Sequence, residues 1–376
     1  MSIMSVLDGV RPSCDPDSLY ARLRTVPAKK KTKLSGSKPL SLKELAEHLA
    51  LSPATVSLVI NRSPVADSIP QQTKDRVLAA ARKFKYRPNF FARSLRARHS
   101  FTVGVIVPEV SDGYSASVMS GIEDFLLQEG YFYFVVSHRH RADLIDEYPR
   151  LFVERSIDGL IAVDTPWKLS LSVPVVTVSG HNKVRGVTNV VLNHVTAAEI
   201  ALQHLADLGH RRIAFIKGQE FSSDTAIRWS NIEKAARRLD IPIIGGLVAQ
   251  LEGDSPSPEL GYEATRKLLA SHKPFTALFA FNDISAMGAI RALREAELRV
   301  PEDVSVVGLD DIPLSELMTP PLTTVQIPRL ELGKLAFSIV QKMLNGELPG
   351  GTEASLDTHL IVRGSTGANR RAEIPA

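Results

Sequence analysis

The stretch Ser52-Pro-Ala-Thr-Val-Ser-Leu-Val-Ile-Asn61 combines short hydroxyl, amide and small apolar side chains and carries no charge. Ser52, Pro53, Ala54, Thr55, Ser57, Leu58 and Asn61 fall on its outer face or edge, where an ordinary solvated helix would carry Lys and Glu. Such a face can enter a nucleic-acid groove closely, with the N-terminal residues toward base edges. Elsewhere, residues able to do chemistry are sparse. No P-loop, GxGxxG, HExxH or GxSxG occurs, which removes the usual signatures of nucleotide, zinc-protease and hydrolase chemistry. The ten histidines show no metal-ligand spacing, so no metal or cofactor is expected. His138 and His140, two apart at the end of an apolar run, would share one face of a strand, and a surface position is expected for both. The single cysteine, Cys14, excludes an intrachain disulfide and suits a reducing compartment.

Two helices must position the uncharged face. Leu42, Leu45, Ala46 and Leu49 recur at helical spacing and predict a first amphipathic helix. Ser52 can cap a second, with Pro53 at its first position, where the missing N–H is harmless. Val56, Val59 and Ile60 then point inward. A helix-turn-helix fits this pattern, and so does any amphipathic helical hairpin; the composition of the outer face favours the former. The turn falls on Ala50, where Gly or Asn would be more comfortable, because a positive φ costs a residue with a Cβ about 1 kcal/mol or more. After a polar loop, Pro70 opens a third helix over roughly 70–85 with Val77, Leu78, Ala81 and Phe84 as its stripe. Asn89 to Arg98 is a short arginine-rich segment. It reads either as a helix that orders on DNA or as a plain linker.

Charge is distributed unevenly. Residues 38–100 carry a net +8, residues 1–37 a net +4, and residues 101–376 a net −8. A basic head on an acidic body suits a polyanion-binding module fused to a second function. No run of about 18 apolar residues occurs, so no membrane partner is expected, and no secretory signal is evident. From Phe101 onward, strands predicted at 101–107, 132–136, 157–163, 173–178, 212–216, 277–280 and 304–308 alternate with helices. Repeated β–α units imply parallel sheets covered by helices, and the length implies two lobes with a ligand cleft between them.

The order of parts resembles the LacI/GalR family of bacterial transcription regulators. Ser52–Asn61 carries the resemblance, with Tyr86-Arg-Pro-Asn and Ala92-Arg-Ser-Leu95, Leu208-Gly-His-Arg-Arg-Ile-Ala-Phe215, Asn282-Asp-Ile-Ser-Ala-Met-Gly-Ala289, Val300-Pro-Glu-Asp-Val-Ser-Val-Val-Gly308 and Thr319-Pro-Pro-Leu-Thr-Thr-Val325. It covers about residues 40–366. The resemblance implies a homodimer on a pseudo-palindromic double-stranded operator. Pro53, Ala54 and Leu58 would read bases, and Thr55 and Ser57 would bind phosphate or pack. Leu95, with Arg96 beside it, would wedge a central base step. Leu58 stands where several members carry Arg or His, which leaves contact with a thymine methyl instead of a bidentate guanine contact. The body would resemble periplasmic sugar-binding proteins, with the chain crossing between lobes near 189, 311 and 325. Arg228 and Asp283 match effector positions, Tyr114 and Ser115 fall where paired aromatics are common, and Leu192 replaces a common Asp.

The expected fold is therefore a three-helix helix-turn-helix head with a hinge helix, followed by a two-lobed periplasmic-binding-protein-like α/β body. The expected divisions are an N-terminal extension at 1–38, the DNA-binding domain at 39–87, the hinge at 88–100, the effector-binding and dimerisation domain at 101–366, and a tail at 367–376. The expected function is that of a cytoplasmic, nucleoid-associated bacterial repressor, not an enzyme, controlled allosterically by a sugar-like small molecule. The rival reading is a cytosolic binding protein or sugar-acting enzyme with an incidental basic N-terminus.

Overall fold

The computed structural model describes residues 40–61, 63–86, 94, 99–111, 113–253 and 257–369. The chain divides into two compact units at Asn89. In the first, α1 (Leu42–Leu49), α2 (Pro53–Ile60) and α3 (Gln71–Lys83) are joined by the turn at Ala50 and a 3-10 turn at Pro64–Ser68. Ser41 and Glu44 form a reciprocal capping box that starts α1. Ala50 ends it in the left-handed conformation, φ 53° and ψ 42°, as the turn requires. Leu45, Ala46, Leu49, Val56, Val59, Val77 and Ala80 make the core. The stripe of α3 is rotated from expectation: Leu78 is exposed and Ala80 is buried in its place.

The second unit holds two six-stranded sheets. Lobe 1 has the order β11-β5-β4-β3-β1-β2, formed by β1 (Thr102–Val107), β2 (Phe132–Ser137), β3 (Gly159–Val163), β4 (Val175–Val178), β5 (Val187–Leu192) and β11 (Glu353–Leu356). Lobe 2 has the order β12-β10-β9-β8-β6-β7, formed by β6 (Ile213–Lys217), β7 (Val248–Gln250), β8 (Ala277–Phe279), β9 (Ser305–Asp310), β10 (Thr323–Gln326) and β12 (His359–Ile361). Every pairing is parallel except β12 with β10. The central strands are buried throughout because helices cover both faces. Lobe 1 carries α4 (Gly113–Glu129), α5 (Ala142–Glu154) and α11 (Arg329–Leu344). Lobe 2 carries α6 (His194–Asp207), α7 (Ser223–Arg238), α8 (Pro258–Ala270), α9 (Asp283–Glu295) and the single turn α10 (Pro313–Leu317).

The same packing device appears in both lobes. Gly121 on α4 faces the Leu330 carbonyl and Gly333 on α11 faces the Val118 carbonyl, so a Cβ at either would overlap backbone. In lobe 2, Gly261 on α8 and Gly288 on α9 meet the backbones of Ser285 and Pro258 in the same way. The two helix pairs are thereby pressed backbone to backbone.

The chain crosses between lobes three times: from β5 into α6, from β10 into α11, and from β11 into β12. Residue 311 is not a crossing, because β9 and β10 are neighbours in one sheet; the third crossing lies at Asp357-Thr358. Residues expected to begin a tail belong to lobe 2. Gly367 donates its N–H to Ser305 Oγ, and the Asn369 N–H bonds to the Leu208 carbonyl at 2.8 Å. No helix among the described residues is long and apolar enough to cross a membrane.

Candidate nucleic-acid interface and interlobe cleft

On α2, Ser52 Oγ accepts the Thr55 N–H at 3.0 Å and also bonds Thr55 Oγ1 at 2.8 Å. The Asn61 amide reaches back to the Ser57 carbonyl and hydroxyl at 2.9 and 3.1 Å. The polar side chains of this helix are therefore engaged locally and hold its ends. Pro53 and Ala54 stand exposed at its N-terminus, while Thr55, Ser57 and Leu58 are half-buried. The outer surface is narrow, mostly apolar and uncharged. Leu95 and Arg96 lie outside the described residues.

In the body, the carboxyl ends of strands from both lobes converge on a cleft of about 730 Å³, part of it open to solvent. Glu109 follows β1, His140 follows β2 and Asp164 follows β3; from lobe 2 come Gln219 after β6, Phe281 and Asn282 after β8, and Asp310 at the end of β9. Parallel α/β sheets bind ligands at this end of their strands. Tyr114, at the start of α4, lines the cleft and bonds Ser179 Oγ through its hydroxyl at 2.6 Å. Burial pushes its phenol pKa far above the usual value, so the phenol stays neutral. Arg228, on α7, also lines the cleft. Its guanidinium lies 4.6 Å over the Phe281 ring, donates to the Phe281 carbonyl at 3.1 Å and pairs with Asp224 at 2.6 Å. The helical spacing of Asp224 and Arg228 makes this pair possible. Burial drives the Asp224 carboxyl upward, but the Arg228 charge and His194 outweigh it and hold the group well below the usual range.

Asp224 also ties the lobes together. Its second oxygen bonds His181 Nε2 at 2.6 Å, and His181 sits in the loop between β4 and β5 of lobe 1. His194 Nε2, at the first turn of α6, lies 3.4 Å from the same oxygen. Burial lowers the His194 pKa. An adjoining space of about 400 Å³, lined by His194, Trp229, Ile232 and Phe279 among others, is mostly apolar and shares Arg228 and Phe281 with the cleft.

The structure brings Tyr114 and Arg228 together in the cleft and leaves two expected residues outside it. Ser115 is 1% exposed on α4 and does not line the cleft. Asp283 is fully buried, and its carboxylate accepts the Ile312 N–H at 3.0 Å, Ser315 Oγ at 2.6 Å and Thr324 Oγ1 at 2.5 Å. Gly308 leaves room for it, since a Cβ there would overlap the carboxylate. Asp283 thus positions the Asp310–Ile312 segment, while its neighbour Asn282 and Asp310 itself face the cleft. The histidine expectation is also corrected. The chain leaves β2 at Ser137 and turns through left-handed Arg139 and His140. His138 is therefore completely buried and His140 lines the cleft. Asp310 was detectable from its place at the carboxyl end of a predicted strand. Asp224 had only its i,i+4 spacing to Arg228 to mark it, and His181 and His194 had no local signal.

The matches to known proteins follow the same division of the chain. Residues 41–89 match the bacterial regulatory proteins of the lacI family, and residues 202–366 match a periplasmic binding protein-like domain. The chain belongs to the lacI family. It is a DNA-binding transcription repressor whose DNA binding is controlled by a small molecule. Among its relatives, the HTH-type transcriptional repressor PurR of Haemophilus influenzae is 32% identical over 337 residues, covering 86% of this chain and 98% of that protein. The HTH-type transcriptional repressor CytR of Escherichia coli K12 is 30% identical over 335 residues, covering 87% and 96%. The lac repressor dimer bound to operator and the anti-inducer ONPF superposes with a TM-score of 0.76 at 27% identity, covering 88% of this chain and all of that one. The regulator CelR with cellobiose gives 0.64 at 27% identity, covering 87% and 99%. PurR, CytR and the lac repressor are repressors, not enzymes.

Proposed function

We propose that the chain acts as a homodimer in the bacterial cytoplasm, without enzymatic activity, and that its effector is a neutral or cationic polyhydroxyl compound, a sugar or a nucleoside, held in the interlobe cleft. Charge carries this reading. Among the described residues, Glu109, Asp164, Asp224 and Asp310 bring four carboxylates to the cleft lining and Arg228 one guanidinium, which pairs with Asp224. Carboxylates accept hydrogen bonds from ligand hydroxyls and repel phosphate, so sugar phosphates are excluded. Tyr114, Phe221 and Phe281 supply flat apolar surface for a sugar or base. The cellobiose bound to CelR and the dimeric state of the lac repressor support the ligand class and the assembly.

On DNA, Pro53, Ala54 and Leu58 of α2 meet base edges by shape and methyl contact, since none of them offers a bidentate hydrogen bond. Ser52, Thr55, Ser57 and Asn61 keep the helix ends in place beside the phosphates. Leu95, flanked by Arg96, is assigned to the wedge at the operator centre. A thermal-shift screen of the full chain against neutral sugars, nucleosides and sugar phosphates tests the effector assignment. A saturating ligand at a hundred times its dissociation constant stabilises by about 2.7 kcal/mol. Hits are expected among the uncharged compounds and are lost in Asp310→Asn. Hits confined to sugar phosphates would overturn the proposal.

A further inference from the structure

His181, His194 and Asp224 come from three separate elements: the loop between two strands of lobe 1, the start of α6, and α7. Their ligating atoms all lie within 4.8 Å of one another. We propose that they form a binding site for a divalent transition-metal ion of the zinc class, and that this ion bridges the two lobes at the cleft. The inference rests on the cleft being the effector site and adds an inorganic ligand to it.

Three observations carry it. First, the donor set is right: two imidazoles and one carboxylate suit Zn²⁺ and its neighbours, and three protein ligands leave a fourth position for water or a ligand hydroxyl. Second, His194 is only 5% exposed, yet its Nδ1 has no partner and its Nε2 makes only the long 3.4 Å contact with Asp224, short of a hydrogen bond. Buried polar groups are normally satisfied, and a buried imidazole with no hydrogen bond calls for an ion or water that would complete it. Third, both imidazole-to-carboxylate spacings need little adjustment, and the two imidazoles lie within 4.8 Å of each other. Ligand bonds of about 2.0–2.1 Å at tetrahedral angles put ligand atoms about 3.4 Å apart. His194 Nε2 is already 3.4 Å from Asp224 Oδ1. The His181–Asp224 contact, now a hydrogen bond of 2.6 Å, opens by under an ångström, and His181 lies in a loop that can yield it.

The surroundings are consistent with a cation. Arg228 holds the other oxygen of Asp224, in the way that outer partners commonly orient a metal-bound carboxylate. Its positive charge opposes the ion, but Glu109, Asp164 and Asp310 leave the cleft negative overall. His181 keeps 16% of its side chain accessible, which gives an ion a way in.

The test uses the full, untagged chain, stripped with a chelator and titrated with Zn²⁺ alone by calorimetry, and with Co²⁺ followed by its visible absorption. The expected result is one ion per chain, with affinity reduced about a hundredfold or more in both His181→Ala and His194→Ala. Co²⁺ bands should appear in the parent protein and vanish in the variants. Thermal melts of the stripped variants check that each is folded, and His181→Ala, in a loop, serves if His194→Ala is not. No binding above buffer, or equal binding in both folded variants, overturns the site. Repeating the sugar and nucleoside screen on the stripped protein separates the two proposals. An organic hit without metal binding removes the metal and keeps the cleft. Metal binding without any organic hit keeps the metal and removes the polyhydroxyl effector.

Discussion

The DNA-reading head and the two-lobed body handle polar groups in opposite ways. In the head, most polar side chains bond three or four residues away, as Ser41 with Glu44, Ser52 with Thr55 and Asn61 with Ser57, while Arg76 reaches the Leu49 carbonyl. In the body they bond across the chain: Tyr114 with Ser179, His181 with Asp224, Asp283 with Thr324. A short helix carries its own caps and presents what remains, so its surface can be exchanged with little effect on the fold. The cleft has no such independence. Tyr114, His181 and Asp283 each also brace a segment of another element, and a change at any of them is a change in the scaffold.

The contrast can be broken most decisively at Asp283. Asp283→Ala removes the acceptor of three buried donors, and the expected loss is about 3–4 kcal/mol, read as a fall in the urea midpoint. Unchanged stability with lost effector response would instead make Asp283 a ligand and erase the distinction drawn here. A second effect, of middle size, concerns His138. Its Nδ1 accepts the His140 N–H and its Nε2 bonds Thr165 Oγ1. Since Thr165 Oγ1 donates to the Val163 carbonyl, the imidazole is neutral, with the proton on Nε2. Burial, with His140 nearby, lowers its pKa from 6.5 to about 4. The unfolded chain therefore binds the proton more readily. Stability from this group is intact above pH 6.5, falls as pH drops, and levels off near pH 4. The loss reaches about 2 kcal/mol by pH 5. Denaturation across this range in His138→Gln should show a shallower slope than the parent; equal slopes would discount the residue. The smallest effect sharpens the head's side of the comparison. Ala50→Gly relieves a left-handed alanine and should stabilise the head by about 1 kcal/mol without altering its DNA preference. A shifted preference would mean that the turn, and not α2 alone, sets the reading surface.

This difference also decides what was legible in the sequence. Leu42–Leu49 and Ser52–Asn61 announced their helices because the contacts that define them lie within a turn or two. The alternation of strands and helices was legible for the same reason. Helix α5 was missed because Pro149 sits inside it, β7, β10, β11 and β12 because three or four residues carry no pattern, and β5 because Thr188 and Asn189 interrupt its apolar run. In the cleft, Asp283 and Asp310 both lie near strand ends, and only tertiary packing determines which one turns inward. The meeting of His181 with His194 and Asp224 depends on the two lobes closing on one another, which no local spacing encodes.

The glycine contacts that press α4 to α11 and α8 to α9 have a mechanical consequence. Helices locked backbone to backbone leave each lobe little room to flex, so deformation concentrates in the three thin crossings. The body then behaves as two stiff levers on a common fulcrum. A fraction of an ångström gained or lost at the cleft, close to the pivot, becomes a larger excursion at the outer edges. In such a machine a ligand need not be large to be felt at a distance; it need only lie near the fulcrum.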